Sequence, residues 1–407
     1  MRDFRRFWIG QTISVVGDQV SLVALPLVAV IALKADAAQM GLLTAAGLLP
    51  HLLFSLPAGV WLDRVHHRRR LMIAADIGRA LLGASIPVAW AMGALRLEQL
   101  FVVGFLSGTL SVFFDISWAT VFVSVAPRER YVEGNSLLNG SRSLASVAGP
   151  PTAGGLVQAL GAPFAILVDA ISFLVSAVSL ALVRVPEAPV EPDDAGLRDR
   201  VLVGLRFIFG DPIMRPTLLA AGTINLFNFA FATLFILFAT RTLGVAPGLL
   251  GLVLGSGAVG GVMGALVAAR VGRRMGLGPA FALGCVLFPA PLILVPLVAG
   301  APTQMILAAL FLAEFLAGIG VMILDINVGA VILARTPDRI RARAGGAFRF
   351  VNYGIRPVGA LMGGLLGSMI GVRETLIVAA IGSLLGGLWL IGSPVLRLRE
   401  LPESAEG

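Results

Sequence analysis

Ten charged residues stand inside long apolar stretches of the sequence, where a charge needs either a partner or a role. Six are acids and four are bases: Asp18, Asp76, Asp115, Asp169, Glu314 and Asp325, with Arg79, Arg142, Arg349 and Arg356. A charged side chain at the centre of a bilayer carries a penalty of at least about 2.5–3.5 kcal/mol, so such residues are functional candidates in a membrane protein. At least two acids lack a base of their own, and an unpartnered carboxyl group in apolar surroundings favours its protonated form. This pattern indicates the binding and release of protons.

The position of each acid along its apolar stretch ranks the proton-coupling candidates. Asp18 lies about eleven residues into the first stretch, which places it about 16 Å deep in a helix that rises 1.5 Å per residue. Glu314 has a similar depth measured from the other end of its stretch, and Asp115 is the third candidate. Arg142 is expected to respond to the charge on Asp18 or Asp115. These four residues form the predicted proton-coupling set.

Four of the six remaining charges are expected to hold the structure together. Asp76 and Arg79 are three residues apart, so they share a helix face and are expected to form an ion pair. Asp325 is expected to pair with Arg349 near the mouth of the same bundle. These residues are therefore interpreted as a structural charge network.

Composition shows which elements position these charges. Of the 407 residues, 57% are hydrophobic and 13% are charged, whereas about 25% charged residues are usual in soluble domains. Since about 20 apolar residues in a helix cross a bilayer, the sequence predicts an all-α polytopic membrane protein and excludes a soluble enzyme. The twelve predicted spans are 7–33, 40–62, 71–92, 98–123, 134–158, 163–183, 217–240, 247–269, 277–299, 303–333, 344–367 and 373–395.

The formal net charge of +8 is explained by orientation in the membrane. If the sides alternate from a cytoplasmic N-terminus, 23 of the 31 Lys and Arg residues lie in cytoplasmic segments and 4 on the opposite face. Basic residues accumulate on the cytoplasmic side of membrane proteins. We therefore expect a multi-pass protein of the cell membrane with both termini in the cytoplasm, and no nucleic-acid partner.

The longest polar segment divides the chain into two halves of six spans. The predicted domains are an N-terminal six-helix bundle (1–183), a cytoplasmic linker (184–216), a C-terminal six-helix bundle (217–396) and a cytoplasmic tail (397–407). Within the linker, Leu197, Val201, Leu205 and Ile208 form one helical stripe. A short amphipathic helix on the membrane surface is the expectation.

The two halves also repeat each other in sequence. At a constant offset of 210 residues, six positions match, and they include Gly149 with Gly359 and Gly161 with Gly371. Two parallel repeats with a substrate site near the bilayer midplane are typical of secondary transporters. The sequence contains no phosphate-binding GxxxxGK[ST] loop, so it encodes no ATP-driven motor.

Two motifs carry a family resemblance. The loop after span 2 reads from Gly59 through Asp63, Arg64 and Arg68 to Arg70, and span 5 contains the segment AGPPTAGG, with Gly149, Pro150, Gly154 and Gly155. Gly59 is expected to let two helices approach closely, and the span-5 glycines to allow close packing at a gate. The chain resembles the major facilitator superfamily, and specifically its twelve-helix drug:proton antiporter branch of macrolide and siderophore exporters.

The resemblance implies a fold of two pseudo-symmetric six-helix bundles whose spans 1, 4, 7 and 10 line a cavity. On those spans Asn225, Asn228 and Asn327 are the cavity-lining candidates, beside the acids. The resemblance implies no enzymatic activity, no cofactor and no metal. The implied partners are a small-molecule substrate, protons and the lipid bilayer, and a monomer is expected.

The sequence therefore predicts proton-coupled efflux of a hydrophobic or amphipathic small molecule, such as a drug or a siderophore, by alternating access. Two alternatives remain open. One is a proton-coupled importer or facilitator of a small nutrient, and the other is a non-transporting membrane scaffold or sensor.

Overall fold

A computed structural model describes residues 2–62, 65, 67–126, 130–183, 197–337 and 340–399. The described residues are almost entirely helical and contain no β-strand. The α-helices in chain order are α1 (Arg2–Leu27), α2 (Ala37–Leu62), α3 (Arg68–Ala91), α4 (Leu97–Val125), α5 (Tyr131–Leu160), α6 (Ala162–Ala181), α7 (Leu197–Gly210), α8 (Met214–Leu237), α9 (Pro247–Met275), α10 (Leu277–Leu287), α11 (Leu294–Leu297), α12 (Thr303–Arg335), α13 (Arg341–Met369) and α14 (Val372–Leu384).

Each of the twelve predicted spans coincides with helical structure in the described residues, but two are not continuous. The ninth is α10, then a 3₁₀ turn at Ala290–Ile293, then α11, because prolines interrupt the hydrogen-bond ladder. The twelfth is α14 followed by a 3₁₀ segment at Leu385–Leu390. Among the described residues, ten helical segments are long and apolar enough to cross a membrane. The helices α5 and α13 fall below that apolarity because arginine, asparagine, serine and glycine dilute their apolar residues.

The chain divides into two compact units, and each has its own packing. Unit 1 is Met1–Asp194 with Val245–Gly255, and unit 2 is Ala195–Gly244 with Ser256–Gly407. In unit 1, α1 packs against α5 and α6, α3 packs against α4 and α6, and α2 packs against α4. In unit 2, α8 packs against α13 and α14, and α10 packs against α12.

Backbone geometry repeats at the 210-residue offset seen in the sequence. A π-helical turn follows α1 at Val28–Ala32, and another follows α8 at Phe238–Thr242. Lys34 has φ of 55° and Gly244, its counterpart, has φ of 66°. Both are left-handed conformations, which a non-glycine residue seldom adopts. The repeat therefore includes the chain geometry between the first two helices of each half.

Side-chain carboxylates fix the start of two helices. Asp36 and Gln39 form a reciprocal capping box at α2, in which the Gln39 N–H donates to Asp36 at 2.8 Å. Asp211 accepts hydrogen bonds from the N–H groups of Ile213 and Met214 at the start of α8, and it also forms an ion pair with Arg335. These contacts satisfy backbone donors that a helix leaves free at its first turn.

The expected linker helix exists as α7, and it packs against α13. Ile208 is fully buried, and a Cβ at Gly204 would overlap the backbone carbonyl of Arg343 in α13. The side chains of Leu197 and Val201 lie outside the described residues, and the place of this helix on the membrane surface stays a prediction. Residues 184–196 of the linker and 400–407 of the tail lie outside the described residues.

Candidate functional site

A buried ion pair in unit 1 joins Asp76 and Arg79, as their spacing predicts. Asp76 is 0% exposed and Arg79 is 5% exposed. The guanidinium carbon of Arg79 lies 4.5 Å from the ring centre of Phe114 and 4.2 Å from that of Phe173, and Arg79 donates a hydrogen bond to Ser111 at 3.3 Å. Two aromatic rings and a carboxylate therefore enclose this arginine.

Asp169 lies at the contact between α1 and α6, and the sequence analysis named it as an intramembrane acid without assigning it a role. Its side chain is 4% exposed and accepts hydrogen bonds from the hydroxyls of Ser21 and, at 3.1 Å, Ser172. A Cβ at Gly17 would overlap Ser172 and approach Asp169 closely, so the two helices meet here at the distance that glycine permits. Ser172 follows Asp169 by three residues in the same apolar span, and this spacing was the available signal that the acid has a hydrogen-bond donor.

Asp18 is adjacent to that contact, and its environment differs from that of Asp169. Its side chain is exposed, although it lies in the middle of α1. Among the described residues it makes no hydrogen bond or ion pair. Its carboxylate interacts electrostatically with Asp169, Asp115, Asp76 and Arg79. Asp18 is therefore an accessible acid surrounded mainly by other acids.

Asp115 and Arg142 are brought close enough to interact. The Asp115 carboxylate is exposed and interacts electrostatically with Arg79, His51 and Arg142. The guanidinium carbon of Arg142 lies 4.7 Å from the ring centre of Trp118. His51, in α2, is the residue that the sequence reasoning missed here; a histidine within an apolar span was the available signal.

Two parts of the loop motif behave differently. Arg68 is 8% exposed and donates hydrogen bonds to the hydroxyl of Thr120 in α4 and, at 3.1 Å, to the carbonyl of Leu62. The expectation for Gly59 was wrong for the described residues: none of their atoms lies within 4 Å of a Cβ built there, so no described helix approaches it closely. Asp63 and Arg64 lie outside the described residues.

In the span-5 motif, Gly149 and Gly154 are closely packed, whereas Gly155 has space for a side chain among the described residues. A Cβ at Gly149 would overlap the side chain of Gln19, which follows Asp18 in α1. A Cβ at Gly154 would overlap the carbonyl oxygen of Pro247. Pro150 is buried, and α5 continues through it. Gly155 has no described atom within 4 Å of its Cβ position, so close packing does not explain that residue.

Unit 2 encloses a cavity of about 360 Å³ among α8, α12 and α13. The predicted residues that line it are Asn225, Asn228, Asp325 and Arg349, and the lining residues that sequence reasoning missed are Phe229, Asn352, Tyr353 and Arg356. The expected ion pair between Asp325 and Arg349 is not present: within the described part of the chain no ion pair joins them. Instead, Asp325 interacts electrostatically with Arg356. The sequence could have suggested the missed α13 residues, because they are spaced three, four and seven positions from Arg349.

The other two candidates of unit 2 lie apart from this cavity. Asn327 is 2% exposed, donates a hydrogen bond to the carbonyl of Ile323 at 2.7 Å, and packs against Gly272. It is therefore a buried packing residue, and its expected place on the cavity wall was wrong because it faces α9. Glu314 is partly exposed beside Gly257 and makes no hydrogen bond or ion pair among the described residues.

The surplus of acids falls in one unit. Unit 1 holds four of the six intramembrane acids with two arginines, and unit 2 holds two acids with two arginines. No group of His, Cys, Asp and Glu residues in the described part of the chain is arranged to hold a metal ion. The intramembrane carboxylates of unit 1 therefore outnumber the arginines that could neutralise them.

The comparisons with known proteins agree over the whole length. The sequence matches the profile of the Major Facilitator Superfamily over residues 7–355 and again over 217–406. The multidrug efflux pump Tap of Mycolicibacterium fortuitum is 27% identical over 399 residues, which cover 95% of this chain and 93% of that protein. The protein of the same name from Mycobacterium tuberculosis (strain ATCC 25618 / H37Rv) is 27% identical over 418 residues, with 96% and 93% covered.

Two solved structures show the same fold. A bacterial homologue of the iron transporter ferroportin, in an inward-facing state, aligns with a TM-score of 0.78 at 17% identity and covers 96% of this chain and 98% of its own. A bacterial homologue of the human lysosomal transporter Spinster aligns with a TM-score of 0.73 at 12% identity, with 98% and 97% covered. At these identities the likeness concerns the fold alone.

Proposed function

Because the chain belongs to the Major Facilitator Superfamily, a family of membrane transporters and not of enzymes, we propose that it exports a hydrophobic or amphipathic small molecule in exchange for protons. Its relatives at 27% identity are named multidrug efflux pumps, which supports outward transport. Each turnover would load substrate from the cytoplasm and return with a proton.

One observation carries the proton coupling: the intramembrane acids outnumber the arginines in unit 1, and Asp18 is exposed among them with no ion pair to any described residue. An acid that must be neutral in one state and charged in another has to be reachable and must not be held by a fixed base. Asp76, enclosed with Arg79, does not meet this condition. Asp18 does, and Asp169 beside it is the second acid that we assign to the same step. Asp115 near Arg142, and Glu314 in unit 2, are further candidates.

The orientation of the proposed transporter follows from the loop charges. With both termini in the cytoplasm, the bundles 1–183 and 217–396 each cross the membrane six times and the linker 184–216 stays on the cytoplasmic side. We propose that the transporter works as a monomer in the cell membrane.

The test begins with a susceptibility panel that compares expressing and non-expressing cells. The compound with the largest difference is then followed in everted vesicles with and without an imposed pH gradient. We expect uptake that depends on the gradient and that Asp18→Asn abolishes. The matched control is Glu98→Gln, which neutralises an exposed acid in the first turn of α4. Uptake that persists after the gradient is collapsed would overturn the proton coupling, and accumulation of the compound by whole cells would overturn the direction.

A further inference from the structure

The unit 2 cavity has one wall formed by a single polar face of α13. Arg349, Asn352, Tyr353 and Arg356 line it, and their spacing of three, four and seven residues places them on one side of the helix. From the start of α13 at Arg341, Arg349 is about 12 Å and Arg356 about 22 Å along the axis at 1.5 Å per residue. The face therefore runs from near the end of the helix to membrane depth.

This wall carries more positive charge than the cavity neutralises. The lining contains two arginines and a single acid, Asp325. The charge of Asp325 acts on Arg356. Arg349 is exposed and makes no hydrogen bond or ion pair among the described residues. Its guanidinium is therefore the group with spare donors in this cavity.

Other groups in the wall are also unsatisfied. The Nε of Arg356 and the Oδ1 of Asn352 are buried without a hydrogen-bond partner in the described part of the chain. The guanidinium carbon of Arg356 lies 3.9 Å from the ring centre of Tyr353 and 5.0 Å from that of Phe229. The wall thus combines aromatic surface with fixed positive charge.

Arg79 in unit 1 is an example of an intramembrane arginine whose contacts are satisfied within the protein. It is 5% exposed, ion-paired with Asp76 and covered by two rings. Arg349 has none of these contacts, so packing does not account for its position inside an apolar span. A guanidinium presents a planar set of donors that matches a carboxylate or a phosphate.

We propose that the unit 2 cavity binds an anionic group, a carboxylate or a similar oxyanion, carried on an aromatic part of the transported molecule. The anion lies at Arg349, and the aromatic part lies against Phe229 and Tyr353. This inference rests on the proposed transport function and names the chemical class of its substrate. Asp325 opposes the anion, so removing its charge strengthens binding.

The test uses the full-length protein in phosphatidylcholine nanodiscs, where no anionic lipid competes. Two probes of the same shape, 1-naphthoate and its uncharged amide 1-naphthamide, are compared by equilibrium dialysis. We expect Arg349→Gln to weaken naphthoate binding at least tenfold and to leave naphthamide binding within twofold. We expect Asp325→Asn to tighten naphthoate binding severalfold. The control is Arg274→Gln, an exposed arginine at the end of α9, which leaves both affinities unchanged.

The two variants act in opposite directions, so damage to the fold cannot imitate the result. Equal binding of naphthoate and naphthamide, or a loss of both in Arg349→Gln, overturns the anion site. If a pH gradient drives efflux while Arg349→Gln leaves naphthoate binding unchanged, the anion site is wrong and the transport proposal stands. If naphthoate binds through Arg349 but no gradient-driven transport of any compound occurs, the site stands and the transport proposal fails.

Discussion

The hydroxyl of Ser21 in α1 donates a hydrogen bond to the carboxylate of Asp169 in α6. This bond crosses the contact where Gly17 brings the two helices together, one residue from Asp18. A buried acid that takes part in proton exchange needs hydrogen-bond donors that stabilise its charged form. We therefore expect Asp169→Asn to lose gradient-driven uptake while substrate counterflow, which needs no net proton movement, continues.

Ser21→Ala tests the same contact more gently. It removes one donor from Asp169 and is expected to reduce gradient-driven uptake severalfold without abolishing it, because Ser172 still donates. Ser146→Ala is the control, since that hydroxyl bonds only to the carbonyl of Ser143 within α5 among the described contacts. Full gradient-driven uptake in Asp169→Asn would show that this acid has no part in coupling.

The buried ion pair predicts a non-additive effect on stability. Arg79→Met leaves Asp76 buried without its base, and removal of one partner of a buried pair typically costs about 3–5 kcal/mol. The double variant Asp76→Leu with Arg79→Met removes both charges, so its free energy of unfolding should lie closer to that of the unmodified protein. The measurement is equilibrium unfolding in mixed detergent micelles. The exposed pair Arg130–Glu133 serves as comparison and should contribute at most about 1 kcal/mol.

Alanine substitutions at two glycines of the span-5 motif, Gly149 and Gly155, should differ sharply in their effect on transport. Gly149→Ala places a methyl group against Gln19, beside Asp18, and is expected to reduce transport severalfold by shifting α5 from α1. Gly155→Ala meets no described atom within 4 Å and should retain transport within twofold. Vesicle uptake normalised to protein amount gives the comparison. Equal effects at the two positions would contradict a packing role for Gly149.

The packing of α7 against α13 can be tested by proteolysis. Gly204→Ala introduces a Cβ that overlaps the carbonyl of Arg343, so α7 should separate and trypsin should cut faster at Arg206. Gly210→Ala is the control because its Cβ meets no described atom. Alanine favours a helix over glycine by about 1 kcal/mol, so faster cleavage in Gly204→Ala cannot come from a weaker helix. Unchanged cleavage would place α7 free of α13.

The orientation in the membrane is open to chemical labelling. The chain has one cysteine, Cys285, which is buried, so Cys285→Ala provides a cysteine-free background. In intact cells, a membrane-impermeant maleimide should label Arg96→Cys and not Arg397→Cys. After permeabilisation both should react. The opposite pattern would reverse the proposed topology.

The sequence by itself determined the type of the elements and the approximate position of each span. Length and apolarity specify membrane helices because a bilayer admits few other backbones. The 210-residue offset predicted a repeat, and the backbone of Lys34 and Gly244 follows it. The spacing of Asp76 and Arg79 was enough to predict their pair, since both lie on one helix.

Only the tertiary structure decided which faces meet. Helices surrounded by lipid are apolar on nearly all sides, so periodicity does not tell how each is rotated. For that reason Asn327 was misplaced on the cavity wall, the pairing of Asp325 with Arg349 was wrong, and Asp169 was given no role. The structure also decided that Asp18 and Asp169 lie near one contact between α1 and α6 and that Arg349 lines a cavity, because that depends on which helices pack together.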